Sequence, residues 1–377
     1  MLWTFWIAAL FVAYVLVGYP ALLVLVSHFR RKSHERKPIL PKVSVIVVVY
    51  NQAEIIAEKI EDTLQLTYPR DKLEIVVGSD NSNDATADIV KSYAGRGVKL
   101  VESDRRVGKH RAQMMARDAS SGEILAFTDA AIRLPPDALE KIVMNFADPA
   151  VGSVSSEDQI QPTKGGWVGE RLYVYGEMGL RRLESSVNSL VSLSGSFFAV
   201  RRDLCNIWHA DQSSDFFAAL HTVKAGMRAV VDPEVRASFG VVRTERAELA
   251  RKVRTIVHGL VVLFSHLELL NPFRYGMFAW QLASHKLFRW LLPFGMLTVL
   301  ISNVFLWGDG FFYQLCLVGQ LGVWLAGLLS LAGGQIARLR PVQWASILVL
   351  GNIATLLAWV KFCTGEKYVT WQPSRRK

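Results

Sequence analysis

The sequence predicts an α/β fold with a largely parallel sheet, joined to transmembrane helices. Three observations carry this expectation. Residues 43–49, VSVIVVV, form a near-continuous β-branched run, the pattern of a strand buried on both faces. Strand-like and helix-like segments alternate at short spacing from there to residue 129. Long apolar runs without charge lie outside that region, each sufficient to span a bilayer.

The chain has 377 residues, 51% hydrophobic, with a formal charge of +10. Charge of that size suggests nucleic acid, but its distribution excludes such a footprint. Residues 43–270 hold 27 Lys and Arg against 30 Asp and Glu, so the positive charge flanks the apolar segments. This is the signature of anionic lipid and of cytoplasmic retention. The three cysteines, Cys205, Cys316 and Cys363, match no zinc or redox spacing and fit a reducing compartment.

Residues 2–26 carry no charged side chain and read as a retained anchor within a 1–28 segment. A basic linker, 29–42, follows with Arg30, Arg31, Lys32, Arg36, Lys37 and Lys42. It reads as a solvated, lipid-facing charge run that keeps the next domain cytoplasmic and the amino terminus outside. In the domain spanning 43–270, helical spacing marks 52–66, 85–93 and 108–119, and strands mark 73–77, 98–101 and 124–129. Beyond residue 129 the alternation is less regular. Helices are expected at 137–146, 167–184, 215–224 and 244–270, and strands at 151–155, 196–200 and 229–232. Residues 271–289 read as an interfacial helix, and 290–365 as three spans near 290–307, 311–333 and 341–360. The spans hold almost no ionisable residues, which argues against a transporter. A basic tail, 366–377, ends the chain. Four spans put that tail outside, against the preference of Lys367, Arg375, Arg376 and Lys377 and of Arg338 and Arg340 in the last loop. A re-entrant apolar segment would remove the conflict.

Three acidic positions stand where strands end or loops begin. Asp129 closes the apolar run 124–127, where open α/β sheets bind ligands and where a carboxylate can hold a divalent cation against phosphates. Asp80 lies in the acceptor-rich turn GSDNSND, suited to a uracil edge or a ribose hydroxyl, and Asp84 behind it fits a helix cap. Asp215 opens a helix, suited either to the helix dipole or to a general base. Lys109 follows Gly108 at a helix start, where phosphates bind. Arg251 and Arg254 share a helix face and can clamp a leaving diphosphate or simply face solvent. Ser194, Gly195 and Ser196 form a small-residue turn that lets a ligand approach the backbone. His209, His221 and His258 have no metal-ligand spacing.

These stretches resemble a membrane-bound family 2 glycosyltransferase of the GT-A fold, similar to bacterial exopolysaccharide and cellulose synthase-like enzymes. The likeness rests on VSVIVVVYN ending at Asn51, SDNSND at 79–84, GK at 108–109, GEILAFTDA at 122–130, SGSFFAVRRDL at 194–204, SDFF at 214–217 and WQPSRR at 371–376. It implies inverting transfer from a UDP-sugar with Mg2+ or Mn2+ at the cytoplasmic face of the inner membrane. Asn51, Asp80, Lys109, Asp129, Arg251 and Arg254 would bind the nucleotide sugar. Asp129 would hold the metal, Asp215 would be the base, and Ser194–Ser196 the acceptor loop. Polysaccharide-assembly proteins would be partners. Three departures stand out: Ala131 at the second acid of D-x-D, Ser214 before Asp215, and Thr255 where processive synthases carry Trp. The last favours single addition to a lipid-linked or nascent glycan over a processive polymerase. The first two leave open a catalytically silent scaffold.

Overall fold

The computed structural model describes residues 1–161, 168–206, 208, 214–240, 245–330 and 339–366. The motif at 371–376, most of the basic tail, His209, Ser213 and Arg338 lie outside the described residues.

Seven strands form one sheet: β1 (Val43–Val49), β2 (Leu73–Ser79), β3 (Val98–Glu102), β4 (Ile124–Asp129), β5 (Val151–Ile160), β6 (Phe197–Arg201) and β7 (Arg228–Phe239). Their order is β3-β2-β1-β4-β6-β5-β7. The first four pair in parallel, as the alternation requires. β6 runs antiparallel between β4 and β5, while β5 and β7 pair in parallel. The sheet is therefore mostly parallel. β5 and β7 run well past the expected 151–155 and 229–232, and the second of their two register shifts, between Ser155 and Glu157, absorbs Pro233.

The first helix, α1, spans Leu2–Phe29. The β1 sequence explains both cores. Val43, Val45, Val47 and Val49 face one side of the sheet, against Ile56, Ile60 and Leu64 of α2 (Ala53–Leu64). Ile46 and Val48 face the other, where α3 (Thr86–Ser92) plays no part and α4 (Lys109–Asp118) does. Gly78 on β2 lets α4 approach: a Cβ there would sit 3.0 Å from the Ala112 carbonyl. Four more helices complete the domain: α5 (Ala138–Met144), α6 (Val168–Val187), α7 (Ser214–Lys224) and α8 (Glu245–Phe264).

The second core does not stop at the domain edge. It continues into Phe278, Leu282 and Trp290 of α9 (Met277–Phe305), and past α10 (Phe311–Leu329) into Ala354 and Ala358 of α11 (Arg340–Cys363). Trp290 lies over Gly259 of α8, where a Cβ would meet its ring at 2.7 Å. The α/β domain is thus packed directly on α9 and α11. α1, α9, α10 and α11 are each long and apolar enough to cross a membrane.

Two findings differ from the sequence reading. The division at residue 289 between interfacial helix and first span falls inside one continuous helix, α9. This brings His285, Lys286 and Arg289 into an apolar helix that the pattern had treated as two segments. The basic linker, expected to be a solvated charge run, also makes contacts within the domain. Arg36 pairs with buried Asp232 at 3.1 Å, and Arg228 donates to the Ser33 carbonyl at 3.1 Å, so the linker is laid along β7.

Candidate active site

The carboxyl edge of β1, β2 and β4 carries the first part of the site. Asn51 follows β1 with φ +48°, a conformation that asparagine tolerates better than most side chains. Its Oδ1 accepts from Asn83 N at 2.9 Å and its own N donates to Ser82 Oγ at 3.2 Å. Asp84 accepts from Thr86 N at 3.0 Å and from Ala53 N at 3.2 Å, so it ties together the starts of α3 and α2. Burial opposes its ionisation, yet the Thr86 and Ala53 donors hold its carboxyl below the usual range.

Asp80 is fully buried. Its Oδ1 accepts from Val107 N at 2.7 Å and Gly108 N at 3.0 Å. Its Oδ2 makes no hydrogen bond and lies 3.7 Å from Arg106 Nε. The Arg106 guanidinium stacks 3.5 Å from the Tyr50 ring centre. Asp80 therefore fixes the loop that enters α4, with one oxygen left for another partner. That loop turns at Gly108, φ +90°, and delivers Lys109. Lys109 Nζ lies 2.5 Å from Asp129 Oδ1, and the Asp129 side chain is 39% exposed. Ala131 follows without a second carboxylate.

Beneath this turn sits Lys59 of α2, which the sequence reading passed over. It is fully buried, donating to the Ile132 carbonyl at 2.8 Å and to Thr128 Oγ1 at 3.3 Å. Burial pushes its pKa down to about 8. A base depressed in the folded state binds fewer protons there than when unfolded. Stability therefore rises with pH between about 8 and the ordinary lysine value near 10.5. Thermal unfolding followed from pH 7.5 to 10.5 is expected to show that rise, and Lys59→Met should flatten it. An unchanged pH slope in Lys59→Met would contradict this account.

The second part of the site comes from the irregular half of the chain. Ser194 Oγ donates to both carboxylate oxygens of Asp158 on β5, at 2.6 and 2.7 Å, and Ser194 N donates to Ser155 Oγ at 2.7 Å. Thus Asp158, another residue passed over, sets the 194–196 turn. Asp215 lies in the first turn of α7. A Cβ on Gly195 would stand in van der Waals contact with Asp215 Oδ2, at 3.4 Å, so the turn passes directly beside that carboxylate. Asp129 N reaches the Ser196 carbonyl at 3.4 Å. The turn is bounded by Asp129 on one side and Asp215 on the other.

His110 of α4 and His258 of α8 close the arrangement, with ring centroids 5.5 Å apart. Burial, then His258 and Lys109, push the His110 pKa down to about 4, with Asp215 opposing. His110 is a neutral imidazole at pH 7. Arg254 is four residues from His258, on the same face of the helix. Arg251 sits on the same side, with its guanidinium fork donating to Glu248 at 2.6 and 2.7 Å. The chain thus brings Asp80, Lys109, Asp129, Ser194–Ser196 and Asp215 to one edge of the sheet. Hard oxygen ligands suit Mg2+ or Mn2+, and one carboxylate with substrate phosphates and water is a donor set that such ions accept. Asp129 meets that minimum. No cluster of three His, Cys, Asp or Glu side chains with metal-ligand proximity occurs among the described residues.

A mostly parallel sheet with acidic and basic side chains gathered at its carboxyl edge defines a GT-A nucleotide-sugar fold. Residues 44–208, somewhat under half of the chain, match the family described as Glycosyl transferase family 2. A mannosyltransferase from Pyrobaculum calidifontis, solved with GDP-Man and Mn2+, superposes with a TM-score of 0.74 at 24% identity, over 97% of this chain and 100% of that one. Glycosyltransferase AglE of Haloferax volcanii is 30% identical over 151 residues, 40% of this chain and 50% of that protein. The beta-monoglucosyldiacylglycerol synthase of Trichormus variabilis is 27% identical over 213 residues, 53% of this chain and 44% of that protein. The chain spans about half the length of these curated relatives.

Proposed function

We propose that this chain is an inverting glycosyltransferase. It moves a sugar from a nucleotide sugar, with UDP the expected carrier, to a lipid-linked or nascent glycan at the cytoplasmic membrane face. One observation carries the reading. The Asp215 carboxylate stands against a turn stripped of side chain at Gly195, with Lys109 and Asp129 on the other side of that turn. A hydroxyl entering over Gly195 can give its proton to Asp215 as its oxygen attacks the anomeric carbon. The bond to the diphosphate breaks in the same displacement, on the face opposite the attack. Lys109, with the Arg254 face of α8, offsets the charge that develops on the leaving oxygen. A divalent cation bound at Asp129 would supply further neutralisation of the diphosphate.

The neighbours support this reading in part. One was solved with GDP-Man and Mn2+, and another is named for a diacylglycerol-based product. They make a guanosine carrier the first competitor to UDP. The basic flanks of the domain favour the cytoplasmic face. Ala131 and Ser214 keep a silent scaffold as the second reading, and Thr255 argues against a processive polymerase.

A donor screen decides among these. Full-length protein in membranes, given UDP- and GDP-sugars with lipid extract, should release the nucleoside diphosphate from one donor and lose that release with chelator. Tight nucleotide binding without turnover on any donor would establish the scaffold instead. A ladder of product lengths from one donor would establish polymerisation.

A further inference from the structure

A charge cluster that this chemistry does not use lies where α6 meets α1 and α9. Glu184, fully buried, accepts from Tyr19 Oη at 2.6 Å and lies 2.7 Å from His285 Nδ1. His285 Nε2 is 3.1 Å from Glu177 Oε1, and Arg289 donates to Glu177 Oε2 at 2.8 Å. Burial opposes the ionisation of Glu177, yet His285 and Arg289 hold it well below the usual carboxylate range. Both oxygens of Glu177 and Oε1 of Glu184 are therefore taken, while the buried Glu184 Oε2 makes no hydrogen bond.

Two cations in the cluster are not satisfied in the same way. Arg181 comes no closer to Glu177 than 3.6 Å through Nε, and its buried Nε and Nη1 make no hydrogen bond. Lys286 has no carboxylate within ion-pair distance among the described residues, and its ammonium lies 5.3 Å from the Phe216 ring centre. Among the described residues, the cationic side chains of Arg181, Lys286 and Arg289 stand against the two carboxylates Glu177 and Glu184. Unused donors on Arg181 beside the Lys286 ammonium favour an anion. Its position says which. Phe216 follows Asp215 in α7 and also contacts Trp290 of α9 at 6.2 Å. Lys286 therefore lies where a helix long enough to span a membrane meets the helix that carries Asp215, and Arg181 stands beside the same carboxylate cluster.

We propose that Arg181 and Lys286 form a subsite for the phosphate of a membrane lipid, the headgroup of the acceptor; this rests on the glycosyltransferase reading above. A phosphate brings negative charge and several acceptor oxygens to the unused donors of Arg181 and to the Lys286 ammonium. A neutral lipid alcohol brings neither.

The test compares lipids that differ only in the phosphate. Full-length protein in phosphatidylcholine nanodiscs is given polyprenyl phosphate, the matching polyprenol, or phosphatidic acid, with retention read by native mass spectrometry. UDP and GDP binding is measured on the same samples. Polyprenyl phosphate should be retained about tenfold better than polyprenol. Lys286→Met and Arg181→Gln should each erase that preference, and Lys286→Arg should restore most of it. Nucleotide binding should persist in all three, which also shows that they fold. Equal retention of polyprenol and polyprenyl phosphate by protein that binds nucleotide overturns the subsite. Retention of phosphatidic acid as strong as that of polyprenyl phosphate overturns its assignment to the acceptor. Absence of nucleotide binding in the unaltered protein overturns the glycosyltransferase reading itself.

Discussion

Asp215→Asn is expected to lower sugar transfer by about 10²- to 10⁴-fold, the usual contribution of a positioned general base. Nucleotide affinity should change by no more than about twofold, because the substitution keeps size and removes only the proton-accepting charge. The loss should fall on kcat rather than KM. The local geometry makes this a clean test. Asp215 sits in the first turn of α7, where its backbone carbonyl accepts from Leu193 N at 3.3 Å, and that bond survives the change. Asn matches Asp in size and occupies the same space beside Gly195. Full transfer by Asp215→Asn would remove the base assignment. A matching loss of nucleotide binding would mark Asp215 as structural instead.

Much of the sheet could be read because β1 states its burial in its own residues. Seven β-branched or small residues in a row leave no polar face, and every one is buried. Asp129 was legible for a related reason: an ionisable group directly after ILAFT cannot remain inside the sheet, so it must emerge at the edge. The antiparallel insertion of β6 between β4 and β5 was not legible. Pairing depends on contacts between residues some 70 apart, which no local pattern records. The same holds for Asp158, whose role depends wholly on Ser194 lying across from it. Lys59 was hidden by its own period. It falls among Ile56, Ile60 and Thr63 on the buried side of α2, yet a lysine on an amphipathic helix ordinarily counts as solvent-facing. His110 beside Lys109 gave no signal because its partner, His258, lies far along the chain. The helix α9 was split at residue 289 because His285, Lys286 and Arg289 looked like a membrane boundary. The carboxylates of α6 that they meet cannot be seen in a hydropathy pattern.

Asp129→Ala is expected to lower kcat/KM by about 10²- to 10³-fold and to abolish chelator-sensitive activity. The second half of this expectation follows from Lys109. With Ala131 in place of a second acid, one carboxylate must serve both the ammonium at 2.5 Å and any divalent ion. An ion arriving alone displaces a cation that the protein already carries, and gains only one ligand group. An ion arriving with a diphosphate gains further oxygens, while Lys109 gains a phosphate partner of its own. Metal binding should therefore require nucleotide. Titration of Mn2+ followed by electron paramagnetic resonance is expected to show weak binding to the protein alone and strong binding once UDP or GDP is added. Lys109→Met should strengthen the nucleotide-free binding by about tenfold, since it removes the competing charge. Asp129→Ala should show no protein-bound Mn2+ under either condition. Strong binding without nucleotide, unchanged in Lys109→Met, would mean that the ammonium does not compete and that other ligands complete the metal site.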